Sequence, residues 1–457
     1  MEKKKYSMKK IISHPDFQIS LISILFGIII AMGKTGSDDI RMFGWLEPGV
    51  KGVVKWVVDQ YYTWSSRQLV DFVWAGVVKC GRIALVIYMA VCMFVMLKAL
   101  KLLFGETNKR VELFAVVMMM LMPFDTLPTA GWIATTASYF GPQAFGVMAL
   151  LPIKKVLDGE QIKPWQFILY CLCLLYGANA EQMCVVLLGC YVVASVYMII
   201  KNKKYDWRIG ILTGLTIASM IYIMTCPGNW TRDVEEQARW FPTYGMLDMV
   251  DKADIGITTT LKWMFASGKI FIIVICGMMT YFVWKKYKEP IYRFISLIPT
   301  GAVLLFGPFS GALKSVFPYL YFITEDMNYY GSFTADVAQL GKGMASFFIL
   351  LGIVICICVE IFLLNDDVQG MVVDFTLAIL AVASRAMMGF SPTVYASNER
   401  TYTCLIFSMC VLAVHIYSKN HTVNNSERAV QAEKYIFYGL IVCAFLNLMY
   451  LVGTRFY

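Results

Sequence analysis

The stretch Pro15–Asp39 reads PDFQISLISILFGIIIAMGKTGSDD. Residues 15–33 make an apolar run of the length that crosses a bilayer, about 20 residues. Two adjoining carboxylates, Asp38 and Asp39, follow almost at once. Similar apolar runs recur to the end of the 457-residue chain, of which 58% is hydrophobic and 16% charged, with mean hydropathy +0.62. Soluble proteins carry roughly 25% charged residues. The composition therefore predicts an all-α polytopic membrane protein, a single integral membrane domain over 1–457. It excludes a soluble enzyme, a disordered chain and a secreted disulfide scaffold.

A window of about 19 residues gives about 13 expected spans: 15–33, 79–103, 111–123, 140–153, 165–178, 182–200, 208–226, 262–284, 291–306, 344–364, 370–386, 402–418 and 435–453. The net charge of +9 sits mainly in short basic loops between them, including Lys109-Arg110, Lys154-Lys155, Lys201 to Arg208 and Lys285-Lys286. By the positive-inside bias these loops and the N-terminus face the cytoplasm, and no nucleic-acid partner is implied. The basic start, Lys3 to Lys10, shows no cleavage site after the first run, which is read as a retained span. The 13 cysteines fall mostly inside apolar runs and read as small buried side chains. No histidine stands near the close pairs Cys171/Cys173 and Cys356/Cys358 to complete a metal site.

Alternate loops are long, aromatic and acidic: 34–78, 124–139, 227–261, 307–343 and 387–401. Loops of that length are commonly functional. In 45–76, Trp45, Val53, Val54, Trp56, Val57, Tyr61, Trp64, Leu69, Phe72 and Val73 recur at helical spacing with polar residues between. The pattern predicts one or two amphipathic helices at the outer interface.

Several residues there have the chemistry of a site. Asp38 and Asp39 repel one another at a membrane boundary, and either suits a general base; an acidic turn that merely ends a helix looks the same. Arg41, Arg67, Arg232, Arg239, Arg385 and Arg400 lie on the side that the topology bias disfavours, and guanidinium groups match phosphate oxygens. Outer aromatic rings such as Trp64 and Tyr139 suit the apolar face of a sugar, although an interfacial belt also explains them. Asn179 and Glu181 stand in a very short link between spans, where polar groups need partners. Pro227-Gly228-Asn229 with Arg232 forms a punctuated loop able to cradle an anion. No Walker lysine motif is present, which excludes ATP-driven transport.

In these patches the chain resembles the GT-C class of integral membrane glycosyltransferases. Within that class it is most similar to a bacterial glucosyltransferase-like family, that of uncharacterised domain 6056. The similar words are Asp38-Asp39; Tyr61 to Arg67, with Ser66 where glycine is usual; Trp132 to Tyr139; Asn179 and Glu181, with Ala180 between them; Pro227-Gly228-Asn229 with Arg232; and Ser391-Pro392 with Arg400. The resemblance implies transfer of a sugar from a polyprenyl-phosphate carrier to a cell-surface glycan or glycolipid, outside a bacterial cytoplasmic membrane. It implies Asp38 or Asp39 as base, with Arg232, Arg385 or Arg400 on the leaving phosphate. Trp64, Arg67, Tyr139, Asn179, Glu181 and Asn229 would then bind the substrates. No cofactor is required, and a divalent metal is compatible with the scheme. The alternatives are a glycan polymerase or ligase, and a transporter or flippase of lipid-linked sugars, the last disfavoured by polar residues gathered at the membrane edge.

Overall fold

Wherever polar or punctuating residues interrupt the apolar runs, the helices end. The computed structural model describes residues 15–34, 37–105, 108–127, 132–202, 205–317, 340–422 and 427–456, and no β-strand occurs among them. The basic N-terminus, Thr35-Gly36, and residues 318–339 with the aromatic rings expected there lie outside the described residues.

The first helices are α1 (Pro15–Ala31), α2 (Ser37–Trp45), α3 (Gly49–Thr63), α4 (Gln68–Cys80), α5 (Arg82–Leu100) and α6 (Lys109–Met120). Next come α7 (Trp132–Thr135), which runs into a π-helical turn at Thr136–Phe140, then α8 (Gly141–Met148), α9 (Leu151–Leu157), α10 (Pro164–Ala178) and α11 (Glu181–Asn202). They are followed by α12 (Trp207–Thr225), α13 (Pro227–Trp240), α14 (Met249–Ala266), α15 (Ile270–Lys286), α16 (Pro290–Phe306) and α17 (Ser310–Val316). The last four are α18 (Leu340–Leu364), α19 (Val368–Ala386), α20 (Thr403–Asn420) and α21 (Glu427–Phe456). By packing, the chain forms two compact units: residues 1–115, 125–232 and 448–457, and residues 116–124 with 233–447.

Seven of these helices are long and apolar enough to cross a membrane, or up to nine if each of two sharply bent pairs is one span. Thirteen exceeds what helix length supports. The run 111–123 yields the 12-residue α6, and 140–153 is divided between α8 and α9, of eight and seven residues. At 1.5 Å per residue none of these covers about 30 Å of hydrocarbon. Runs 15–33 and 165–178 give the shorter apolar helices α1 and α10. Run 262–284 is not one helix either: α14 and α15 meet at 78° across Ser267-Gly268-Lys269, and α16 meets α17 at 92°. The amphipathic reading of 45–76 appears as α3 and α4, with α2 before them.

In the first unit α1 packs along α5, and Asp16 at the start of α1 pairs with Lys98 near the end of α5 at 2.8 Å. The two helices are therefore antiparallel. Lys101, buried in the π-helical turn after α5, reaches Glu112 at 3.2 Å and Asp16 at 3.7 Å, which closes a charged cluster at that end of the unit. Lysines 154, 155 and 163 stand at the corresponding ends of α9 and α10. At the opposite end the Trp132 indole donates to Ile30 O at 2.5 Å, and Tyr88 OH donates to Ala137 O at 2.9 Å.

Small residues let α8 and α10 touch backbone to backbone, the usual device where apolar lipid gives helices no solvent-driven reason to associate. A Cβ on Gly177 would lie 2.7 Å from Gly146 Cα and 2.9 Å from its nitrogen. In the second unit α20 is buried along nearly its whole length and packs closely on α19. We expect Gly177→Ala to lower stability in detergent by about 1–3 kcal/mol through overpacking. Gly214→Ala, where nothing lies within 4 Å, should stay within about 1 kcal/mol of the parent. Thermal melting of both variants checks this, and equal behaviour would refute the close helix contact.

Candidate functional site

The end of the first unit opposite Lys98, Lys101, Lys154 and Lys155 is built around the turn Trp64-Ser65-Ser66-Arg67. Helix α3 stops when Trp64 N and Ser65 N both donate to Gln60 O at 2.8 Å. The next helix, α4, begins with amide donors that no side chain of its own segment caps. Asn179, between α10 and α11, supplies the cap from a distant part of the chain. Its Oδ1 accepts from Leu69 N at 2.9 Å and Val70 N at 3.1 Å, while its Nδ2 donates to Ser66 O at 3.2 Å. Unmet donors at a helix start need such partners.

Two residues further on, Glu181 Oε1 lies 3.5 Å from Arg67 Nε, and Ser66 OH donates to the same oxygen at 3.5 Å. Asn229, in the first turn of α13, donates from Nδ2 to Ser66 Oγ at 3.1 Å and to Ile223 O at 2.9 Å. Gly228 explains how α13 comes so close, since a Cβ there would stand 2.8 Å from Gln60 O and 2.9 Å from Ser65 N. The stacked rings of Tyr61 and Tyr222, 5.4 Å apart, flank the same turn.

The charges of this cluster are coupled. The field of Glu181 first, and those of Tyr139 and Asp71 after it, hold the Arg67 guanidinium protonated beyond its ordinary range, against the effect of burial. Asp71 stands one helical turn after Arg67 and is buried. Burial pushes its carboxyl up to about 6, with Arg67, a Ser65 hydrogen bond and the more remote Arg232 pulling the other way. Asp71 Oδ2 and Asn229 Oδ1 are buried with no hydrogen-bond donor.

Asp39 is held by backbone amides. It is 3% exposed, and its two oxygens accept from Ala134 N at 2.8 Å and Ile133 N at 3.1 Å, tying α2 to the start of α7. Asp38, beside it in the first turn of α2, is only partly buried. Helix α2 packs on both α4 and α7.

Of the residues singled out in the sequence, Arg67, Tyr139, Asn179, Glu181, Asn229 and Arg232 thus join one hydrogen-bonded and electrostatic network. Trp64 stands in its central turn, partly buried. Ser65, Ser66 and Asp71 belong to it as well and were missed, although the i, i+4 spacing of Arg67 and Asp71 was readable. Arg385 and Arg400 belong to the second unit, where the buried Nε of each has no hydrogen-bond partner. Arg385 lies over the Tyr402 ring at 4.4 Å and donates to Val394 O at 3.4 Å. Tyr402 stacks on Trp263, whose indole donates to Glu399 at 2.8 Å. Arg41 and Arg239 are exposed, the latter over the Trp240 ring. Among the described residues no three His, Cys, Asp or Glu side chains gather as a metal-binding group.

The chain matches no protein-family model, no curated protein and no solved structure.

Asp71 gives a pH signature. Its folded value, about 6, lies above the unfolded value of 3.8, so the folded state holds the extra proton between those limits. Stability is then greatest below about pH 4, falls as pH rises to about 6, and is level above, a loss on the order of 2–3 kcal/mol. Melting curves across this window should show the fall in the parent protein and not in Asp71→Asn; an identical slope in both would remove Asp71 as its source.

Proposed function

We propose that the protein is an integral membrane glycosyltransferase of the GT-C kind. In this reading it moves a sugar from a polyprenyl-phosphate carrier to a hydroxyl of a cell-surface glycan or glycolipid, on the outer side of a bacterial cytoplasmic membrane. The observation that carries the reading is the Arg67–Glu181–Asn229 cluster. It gathers cations, a carboxylate and amides beside aromatic rings at one end of an apolar helical unit, where a lipid-tethered phosphate and a polar sugar would both be within reach. The unmet acceptors Asp71 Oδ2 and Asn229 Oδ1 suit the hydroxyl donors of a sugar. Lys98, Lys101, Lys154 and Lys155 at the other end of the same unit support an outward-facing cluster by the positive-inside bias, while Lys34, Lys51, Lys55 and Lys79 lie on the cluster's side.

The chemistry needs a base, a leaving-group stabiliser and a cradle. Asp38 takes the proton of the acceptor hydroxyl as its oxygen attacks the anomeric carbon. Asp39, with both oxygens held by backbone amides, positions α2 instead of accepting that proton. The sugar–oxygen bond to phosphate breaks with its electron pair on the phosphate, whose growing charge Arg67 and Arg232 stabilise. Glu181, Asn179 and Asn229 orient sugar hydroxyls or the turn that holds them, and Trp64 and Tyr139 offer ring faces. Attack opposite the leaving group inverts the anomeric centre. The scheme asks nothing of Arg385 or Arg400.

One observation favours a second reading. The second unit contains two sharply broken apolar helix pairs, a feature of transporters, and so of a flippase for lipid-linked sugars. Purified protein in detergent separates the two, because transfer of labelled sugar from lipid to acceptor needs no membrane sides. We expect transfer by the parent and a loss of about 10²–10⁴-fold in Asp38→Asn with donor binding retained. Arg232→Ala should weaken donor binding about tenfold, as loss of one charge-assisted contact does. Parent-level transfer by Asp38→Asn would sink the assignment of the base, and no transfer by the parent with any lipid-linked sugar would favour the flippase.

A further inference from the structure

Glu360 is a carboxylic acid with nothing to balance its charge. It stands in α18, within the candidate span Gly343–Leu364 and about 6 Å from its end at 1.5 Å per residue, and it is fully buried. Among the described residues no lysine, arginine or histidine pairs with it. Its Oε2 has no partner, and its Oε1 lies 3.4 Å from Thr280 Oγ1 on α15. An ionised carboxylate so placed costs several kcal/mol unless compensated.

The proton count sharpens the problem. Thr280 carries one hydroxyl proton. That hydroxyl lies 2.6 Å from Ser296 O, a carbonyl that can only accept, and 2.8 Å from the Thr300 hydroxyl, both on α16. The close geometry to Ser296 O commits the Thr280 proton there. A bare Glu360 carboxylate would then have no donor at all. If Glu360 itself brings a hydron, Thr280 Oγ1 accepts from it and the network closes. A small cation among these oxygens closes it equally well. Pro299, inside α16, also has no N–H to offer the carbonyl of Ile295 one turn earlier.

We infer that Glu360, Thr280, Thr300 and the Ser296 carbonyl form a binding site for one monovalent cation, a proton or a sodium ion. Three mutually packed helices, α15, α16 and α18, supply its oxygens. A single carboxylate matches a single positive charge, and hard cations take oxygen ligands. Cys276 and Cys356 stand one helical turn before Thr280 and Glu360 on α15 and α18. Ionisable side chains on the surrounding helices bond elsewhere: Asp254 accepts from Thr258, Arg293 donates to Tyr287 O, Asp374 pairs with His415, and Arg385 lies over Tyr402. The inference is independent of the glycosyltransferase reading, which uses no residue of this group.

The test is labelling of the full chain in detergent with dicyclohexylcarbodiimide, which attacks protonated carboxyls in apolar surroundings. Modification at Glu360 is read by mass spectrometry across acidic to alkaline pH, in sodium chloride or choline chloride of equal ionic strength. A proton site gives labelling that falls about tenfold per pH unit above its titration point, the same in both salts. A sodium site gives labelling slowed severalfold by sodium relative to choline. Melting above about pH 7, where the Asp71 contribution is level, supplies a second arm: Glu360→Gln, neutral and of the same shape, should melt at least as high as the parent and lose the parent's response to sodium or to rising pH in that range. No labelling of Glu360 at any pH, or labelling indifferent to both pH and sodium, overturns the inference. So does a Gln variant that keeps the parent's response above about pH 7.

Discussion

A guanidinium drawn partly out of water has to be met by a negative charge, and the first unit meets that demand for Arg67 with Glu181. The two residues come from helices far apart in the chain, so the pair exists only once α4, α10 and α11 have come together. Leaving one partner of a fully buried pair alone costs about 3–5 kcal/mol, and the partial exposure of Arg67 and Glu181 reduces that cost. Asn179 adds a second constraint at the same place, because the first amides of α4 have it as their cap. Through Ser66 the two constraints share a residue with Asn229, so α13 is drawn into the same arrangement. The polar cluster is thus a structural keystone of its end of the unit as well as the proposed site.

That double role explains a division of labour between neighbours. Asp39 spends both oxygens on the start of α7, while Asp38, one position earlier, is only partly buried. In the second unit some buried charges are paired, Lys285 with Glu433 at 2.8 Å and Asp374 with His415, while Arg385 rests on the Tyr402 ring. Glu360 departs from that pattern, and its departure is what makes an added cation necessary.

The helical class and the membrane setting were legible because apolar runs and basic loops are properties of composition. Much of the cluster was legible too, since Arg67, Asn179, Glu181, Asn229 and Arg232 each stood out as polar residues at the ends of apolar runs. Their convergence was not, because no local pattern reports that Asn179 caps a helix more than a hundred positions away. The span count failed for a related reason. Hydropathy over 111–123 and 140–153 cannot see that these runs end or turn after two or three helical turns, nor that 262–284 breaks near Gly268. Asp71 escaped notice because a lone acid in an amphipathic stretch looks like a solvated face until burial is known.

The account stands or falls on the Arg67–Glu181 interaction, and a double-mutant cycle measures it directly. Arg67→Met, Glu181→Gln and the double variant would be unfolded thermally or by denaturant in the same detergent. The predicted result is that each single change is strongly destabilising, while the double change recovers much of the loss, with a coupling energy of about 1–3 kcal/mol. Strictly additive costs, with no recovery, would contradict it.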